Sequence, residues 1–178
     1  KWYRRPVDIV LGKAIFYFIL YLQMAIYAYA AVTRWFSLPD VGDYFVFLRF
    51  IIPYLLACIF LAMVLSVLVY RREDCIMLFV FLSVPLLFMS GISWPGSEIP
   101  EFWKYVSWLF PSTFGMNGYL RIMGTGASIE DIHHEYVGLW CQVGVYGILA
   151  CIMYRLRLKA IVKRLSSAKN RQKMYQEE

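Results

Sequence analysis

The chain has 178 residues, of which 61% are hydrophobic, 19% aromatic and 17% charged, with a formal net charge of +6. A soluble domain of that size has too little interior for so many apolar side chains, since globular composition runs at about 45 to 50% apolar and 25% charged. A water-soluble enzyme, a disordered tail and a disulfide framework are all poor fits, and much of the basic excess lies at the C-terminus, which argues against nucleic acid as a partner.

Four uncharged windows follow one another along the chain: Ala14 to Thr33 (20 residues), Phe50 to Tyr70 (21), Cys75 to Ser97 (23) and Tyr136 to Tyr154 (19). Each can cross a bilayer, because a helix rises about 1.5 Å per residue and the hydrocarbon core is about 30 Å thick. Helix is required, as an open sheet leaves backbone groups unpaired in lipid. The expected fold is therefore all-α, a polytopic helical membrane protein read as one transmembrane domain over residues 1–178, with a cytoplasmic tail from 155 to 178.

The connecting segments set the orientation. Lys and Arg near span ends are retained on the cytoplasmic side. With Lys1 inside, 14 of the 18 basic residues lie inside, and Arg34, Arg49, Lys104 and Arg121 lie outside. Both ends of the chain are thus expected in the cytoplasm, with Arg71-Arg72-Glu73-Asp74 forming a tight inner turn between the second and third spans.

Between the third and fourth spans, Ile99 to Leu120 is too apolar for an aqueous loop, with Trp103, Tyr105, Val106, Trp108, Leu109 and Phe110 interrupted by Pro111. Each half covers about ten residues, or about 15 Å as helix. Pro111 cannot donate the helical hydrogen bond and disfavours helix at Phe110, so two short helices meeting at a bend are expected. The segment reads as a re-entrant two-helix hairpin entering the outer leaflet, a candidate gate made by Pro100, Trp103, Trp108, Pro111 and Arg121. The alternative is an aromatic belt lying flat on the outer surface. After the last span, Leu158, Ile161, Val162 and Leu165 recur at helical spacing among Lys159, Lys163 and Arg164. That pattern fits an amphipathic helix, as an anchor on anionic lipid or a dock for a partner.

Motifs for chemistry are scarce. Gly91-Ile92-Ser93-Trp94 superficially resembles a rhomboid serine, but His133 and His134 precede the last span and are not placed to activate Ser93. There is no P-loop and no HExxH, so neither ATP binding through a P-loop nor zincin chemistry is expected. His133, His134, Glu130 and Glu135 read as solvated rather than as metal ligands. Cys58, Cys75, Cys141 and Cys151 lack CxxC spacing. No catalytic residue, metal or cofactor is expected. The four windows hold no Asp, Glu, Lys or Arg, which disfavours an ion-coupled pump. Gln23 stands out in mid-span as a polar side chain that can line a path or bond between helices. Gly138, Gly144 and Gly147 permit close helix approach in the last span, and Pro53 and Pro85 introduce bends in the second and third. A bundle of this kind draws its energy from elsewhere, and a partner ATPase fits.

Ser90-Gly91-Ile92-Ser93-Trp94-Pro95, Pro100, Leu109-Phe110-Pro111-Ser112-Thr113, Gly118-Tyr119-Leu120-Arg121 and Gly126-Ala127-Ser128 together resemble the C-terminal signature of type-2 ABC (ATP-binding cassette) exporter permeases, in the drug-exporter branch. Pro6 and Leu11-Gly12-Lys13 resemble the family's segment just after its coupling helix. The resemblance implies six spans, of which this chain supplies the last four, so that alone it is not expected to transport. It implies a permease subunit moving a hydrophobic or amphipathic substrate out across a bacterial inner membrane. Its implied partners are an ATP-binding cassette subunit that hydrolyses ATP, a second permease copy or sister subunit, and a periplasmic membrane-fusion protein. It places Trp2, Arg4, Arg5 and Pro6 near the ATPase contact, although Arg4 and Arg5 equally fit simple positive-inside anchoring. A glycan or lipid-linked polymer exporter, and a membrane scaffold without transport, are the competing readings.

Overall fold

The computed structural model describes residues 6–36, 42–69, 72–89 and 101–177. They form six helices: α1 (Pro6–Phe36), α2 (Tyr44–Leu68), α3 (Arg72–Met89), α4 (Glu101–Ser107), α5 (Pro111–Thr125) and α6 (His133–Glu177). Among the described residues there is no strand, so the all-α expectation holds.

Among the described residues three stretches are long and apolar enough to cross a membrane, Val7–Ala31, Tyr44–Val67 and His133–Arg157. They contain most of the first, second and fourth windows. The third window is only partly described. Its first 15 residues, Cys75 to Met89, belong to α3 and reach about 22 Å as helix, short of the hydrocarbon thickness. Residues 90–97 of that window lie outside the described residues, as do Pro100 and the Gly91-Ile92-Ser93-Trp94 motif.

The expected inner turn takes a different form. α2 stops at Leu68, where the N–H of Val69 still donates to the Leu65 carbonyl, and Arg72, Glu73 and Asp74 already belong to the first turn of α3. Carboxylates complement the exposed N–H groups of a helix start, which draws these residues into the helix rather than the turn.

α2 is the central element. It packs on α6, α1 and α5, while α5 and α1 each also contact α6. Two apolar cores result. At one end Val10 and Ala14 of α1 meet Ile59 and Met63 of α2 and Ala150 of α6. At the other end Phe47 and Phe50 of α2 enclose Ile122, Ile132 and Leu139. Pro53 is buried inside α2 and Pro85 is exposed inside α3, and both helices run on past their prolines.

Even the best-packed of the three spans has only 28% of its apolar window buried. Ile15, Phe16, Ile19 and Met24 of α1 and Phe79, Val80, Phe81 and Val84 of α3 all point outward. Apolar surface on that scale is stable against lipid or a partner subunit and not against water. α3 stands apart, with its main helix contact on α4. The last span and the tail expected after it form one uninterrupted helix of 45 residues, α6.

Candidate functional site

The segment around Pro111 is the most irregular piece of described backbone within the bundle. α4 ends at Ser107 and is closed by two turn bonds, from the Leu109 N–H to the Val106 carbonyl (3.1 Å) and from the Phe110 N–H to the Ser107 carbonyl (3.1 Å). Phe110 is extended, with φ −104° and ψ 130°, as its position before proline requires. Pro111 then opens α5, where its missing N–H costs nothing because the first helical turn has no partner for it. Two short helices broken at Pro111 are what the sequence predicts.

A helix end leaves carbonyls without intrahelical partners, and leaving them bare away from water is costly. Three side chains take them up in order. Thr113 Oγ1 donates to the Ser107 carbonyl at 3.0 Å. Gln142 Nε2 donates to the Trp108 carbonyl at 2.7 Å. The Tyr146 hydroxyl donates to the Leu109 carbonyl. Gln142 and Tyr146 are four residues apart on α6 and so share one face. The bend is therefore fixed from two sides, by its own second helix and by the last span.

α5 can lie this close to α2 because of two glycines. A Cβ at Gly115 would stand 2.2 Å from Tyr54 Cε2, and one at Gly118 would stand 2.2 Å from Phe50 Cζ. Both rings occupy the space that a side chain would take. On the other flank Gly138 of α6 faces the Phe114 ring, at 3.1 Å for an added Cβ. A Cβ added at Gly147 would stand in ordinary contact with Phe60, whereas one at Gly144, which the sequence groups with them, would meet nothing within 4 Å. α5 ends where Gly126 adopts a left-handed conformation (φ 65°) and donates to the Ile122 carbonyl at 3.1 Å.

The charged pair of this region joins α5 to α6: Arg121 Nη1 lies 3.4 Å from Glu135 Oε1. The Glu135 side chain is 11% exposed and that of Arg121 57%, so a nearly buried carboxylate is neutralised from its outer side. In the connection between these helices, Asp131 Oδ2 accepts from both the N–H and the hydroxyl of Ser128, each at 2.9 Å. Those bonds, the backbone one first, hold its carboxyl below the usual carboxylate range.

Beside the bend, an apolar cleft of about 400 Å³ opens between α2 and α3. Leu61 and Leu65 of α2, Leu78 and Leu82 of α3, and Phe110 and Pro111 of the bend are among its walls. Cys58 and Cys75 line it as free thiols. The buried hydroxyl of Ser112 also faces this region and has no hydrogen-bond partner among the described residues.

The residues expected to form the gate are thus distributed. Pro111 is buried at the bend, Trp103 and Trp108 are exposed near it, and Arg121 lies on α5 in its ion pair. Gln23 is exposed on α1 and is not among the residues that line the cleft. Of the ATPase-contact set, Trp2, Arg4 and Arg5 lie outside the described residues, and Pro6 begins α1. Gln142 and Tyr146 were not singled out by sequence reasoning. Their signal is a strong donor and a phenol one turn apart in an apolar span, opposite a proline break that must leave carbonyls in need of donors. Among the described residues no group of three or more His, Cys, Asp or Glu side chains could hold a metal.

Comparison with known proteins found no match among curated proteins and none among solved structures. The family described as ABC-2 family transporter protein matches residues 4–152, which spans the first five helices and the first 20 residues of α6. With its apolar helices, its proline-broken pair and that match, the chain belongs to the ABC-2 transporter family, the multi-pass membrane permeases that work with an ATP-binding cassette subunit.

Proposed function

We propose that this chain forms part of the permease of an ATP-driven exporter that moves a hydrophobic or amphipathic substrate outward across a bacterial inner membrane. In this reading four spans cross the bilayer, α4 and α5 form a re-entrant hairpin from the outer side, and both ends of the chain face the cytoplasm. Two permease units pair around the path, a periplasmic membrane-fusion protein receives the cargo, and the segment holding Trp2, Arg4, Arg5 and Pro6 meets the ATPase.

The observation that carries the proposal is the satisfied bend. Irregular backbone is tolerated at membrane depth only where protein or a cavity surrounds it and its polar groups find partners. The carbonyls of Ser107, Trp108 and Leu109 all have side-chain donors, two of them from the last span. A surface belt in contact with water would need no such arrangement. The cleft beside the bend supports an apolar cargo, since Phe79 and Phe110 are the two rings in an otherwise mainly aliphatic wall. A sugar chain would be met by more aromatic faces and polar groups.

Mechanistically, closure of the ATP-binding subunits tilts the spans. Because Gln142 and Tyr146 tie the bend to α6, movement of α6 displaces the hairpin and opens the route beside Pro111. Replacing Pro111 with Ala restores an N–H at the break and removes the bias against helix at Phe110. In the full-length permease with its ATPase, P111A is expected to lower efflux of a lipophilic dye while the assembled complex is recovered in normal yield. Unchanged efflux would remove the hairpin from the mechanism.

A further inference from the structure

A second cavity of about 400 Å³ lies across α2 from the apolar cleft, where α1, α2 and α6 converge. Its walls differ in kind from those of the apolar cleft. Lys13, Tyr17 and Tyr21 come from α1, Met63 and Ser66 from α2, and Tyr154 from α6. The Lys13 ammonium donates to the Tyr154 hydroxyl at 3.5 Å and sits 5.4 Å from the centre of that ring. It forms no ion pair among the described residues, although Asp8 lies in the first turn of the same helix. Arg157 reaches the same wall, with Nη1 3.4 Å from the Ser66 carbonyl.

The depth of these residues is informative. Lys13 lies six residues into the span Val7–Ala31, about 9 Å along the helix, while Ser66 and Tyr154 lie one and three residues before the ends of the spans Tyr44–Val67 and His133–Arg157. All three therefore lie near the membrane interface, on the same side of the bilayer. Tyr17 and Tyr21 follow one and two turns deeper, their rings stacked at 6.4 Å between centres, beside Ile59 and Met63. The cavity thus runs from one cation and a phenol at headgroup depth, with the Arg157 guanidinium on the carbonyl of its wall residue Ser66, to aromatic and aliphatic walls at acyl-chain depth.

We propose that this cavity binds an anionic phospholipid, its phosphate between Lys13, Tyr154 and Arg157 and its first acyl methylenes along Tyr17, Tyr21 and Met63. Basic pockets between spans take such headgroups because a desolvated cation gains most from an anion that itself resides at the interface. A choline headgroup places a further cation beside Lys13 and Arg157 and is disfavoured.

The test uses the complete permease assembled with its ATP-binding subunit, purified in mild detergent and equilibrated with equal amounts of phosphatidylglycerol and phosphatidylcholine. Retained lipid is quantified by mass spectrometry. The wild type is expected to retain phosphatidylglycerol preferentially, and Lys13→Gln to retain about fivefold less, the loss expected for one cation at an anionic surface. Lys13→Arg should restore retention, and Arg157→Gln, at the exposed rim, gives an independent reduction if Lys13→Gln assembles poorly. Equal retention of the two lipids by the wild type, or an unchanged profile in both charge-removing variants, overturns the proposal. Thermal unfolding separates the sources of phosphate: phosphatidylglycerol should raise the Tm and inorganic phosphate should not, and an equal rise with both would assign the cavity to a soluble anion instead.

Discussion

Ser112 and Thr113 are neighbours in the first turn of α5, yet their hydroxyls have opposite energetic roles. The Thr113 hydroxyl gives the Ser107 carbonyl a second bond beside that from the Phe110 N–H, whereas that of Ser112 is buried without a partner among the described residues. Removing the threonine bond leaves that carbonyl with its backbone donor alone and forfeits the net worth of one hydrogen bond, while removing an unsatisfied group relieves a desolvation cost. Thr113→Val should therefore destabilise the permease by about 0.5 to 1.5 kcal/mol, and Ser112→Ala should be neutral or stabilising. Thermal unfolding of the two variants side by side checks this, and equal losses would contradict it. Asp131 supplies a pH-dependent counterpart. Its pKa is depressed by bonds from Ser128 to its charged form, so the stability it adds is present above the unfolded carboxylate value, about 3.9, and is lost as pH falls through its folded midpoint. Ser128→Ala should raise that midpoint, as followed by carboxyl-carbon NMR, and weaken the acid-side dependence of stability.

At the scale of elements, α5 is held by the absence of side chains on its α2 face. Gly118→Ala forces the Phe50 ring out of a fully packed core, and overpacking of this kind typically costs about 1 to 3 kcal/mol. The same change at Gly144, which faces open space, should cost little and can gain helix propensity. A difference in Tm between the two alanine variants would separate them, and equal values would contradict the packing described. This contrast also shows what sequence alone could resolve. Apolar windows located three of the spans, and Pro111 located the break, because length and the missing N–H act locally. Which glycines lie under a ring depends on how α5 crosses α2, and nothing within six residues of Gly115 or Gly118 encodes that. Gln142 was missed for the same reason, since its partner carbonyl is 34 residues away. The charged stretch Arg71-Arg72-Glu73-Asp74 reads as a turn because it is short and separates two apolar windows, whereas Glu73 and Asp74 lie in the first turn of α3, where the helix start gives them a dipole to complement.

For the whole molecule, the two cavities share residues of α2: Ala62 and Ser66 line both. α2 therefore separates an apolar cleft from a basic pocket, and the cleft can be tested without touching the cations. Leu82→Trp on α3 fills the cleft from the side opposite α2. If lipophilic cargo enters there, the variant should lose most cargo stimulation of the partner ATPase while its basal rate stays near that of the wild type. Retained stimulation would place the entry elsewhere. α6 extends the reasoning beyond the bilayer. At 45 residues it is about 67 Å long, more than twice the hydrocarbon thickness, and no glycine or proline follows Gly147 along it. The donors that grip the Pro111 bend and the residues near Glu177 are thus mounted on a single stiff rod. A small angular change at its midpoint is converted into opposite displacements at its two ends, so a push on the protruding arm pulls on the hairpin with no intervening joint to absorb it.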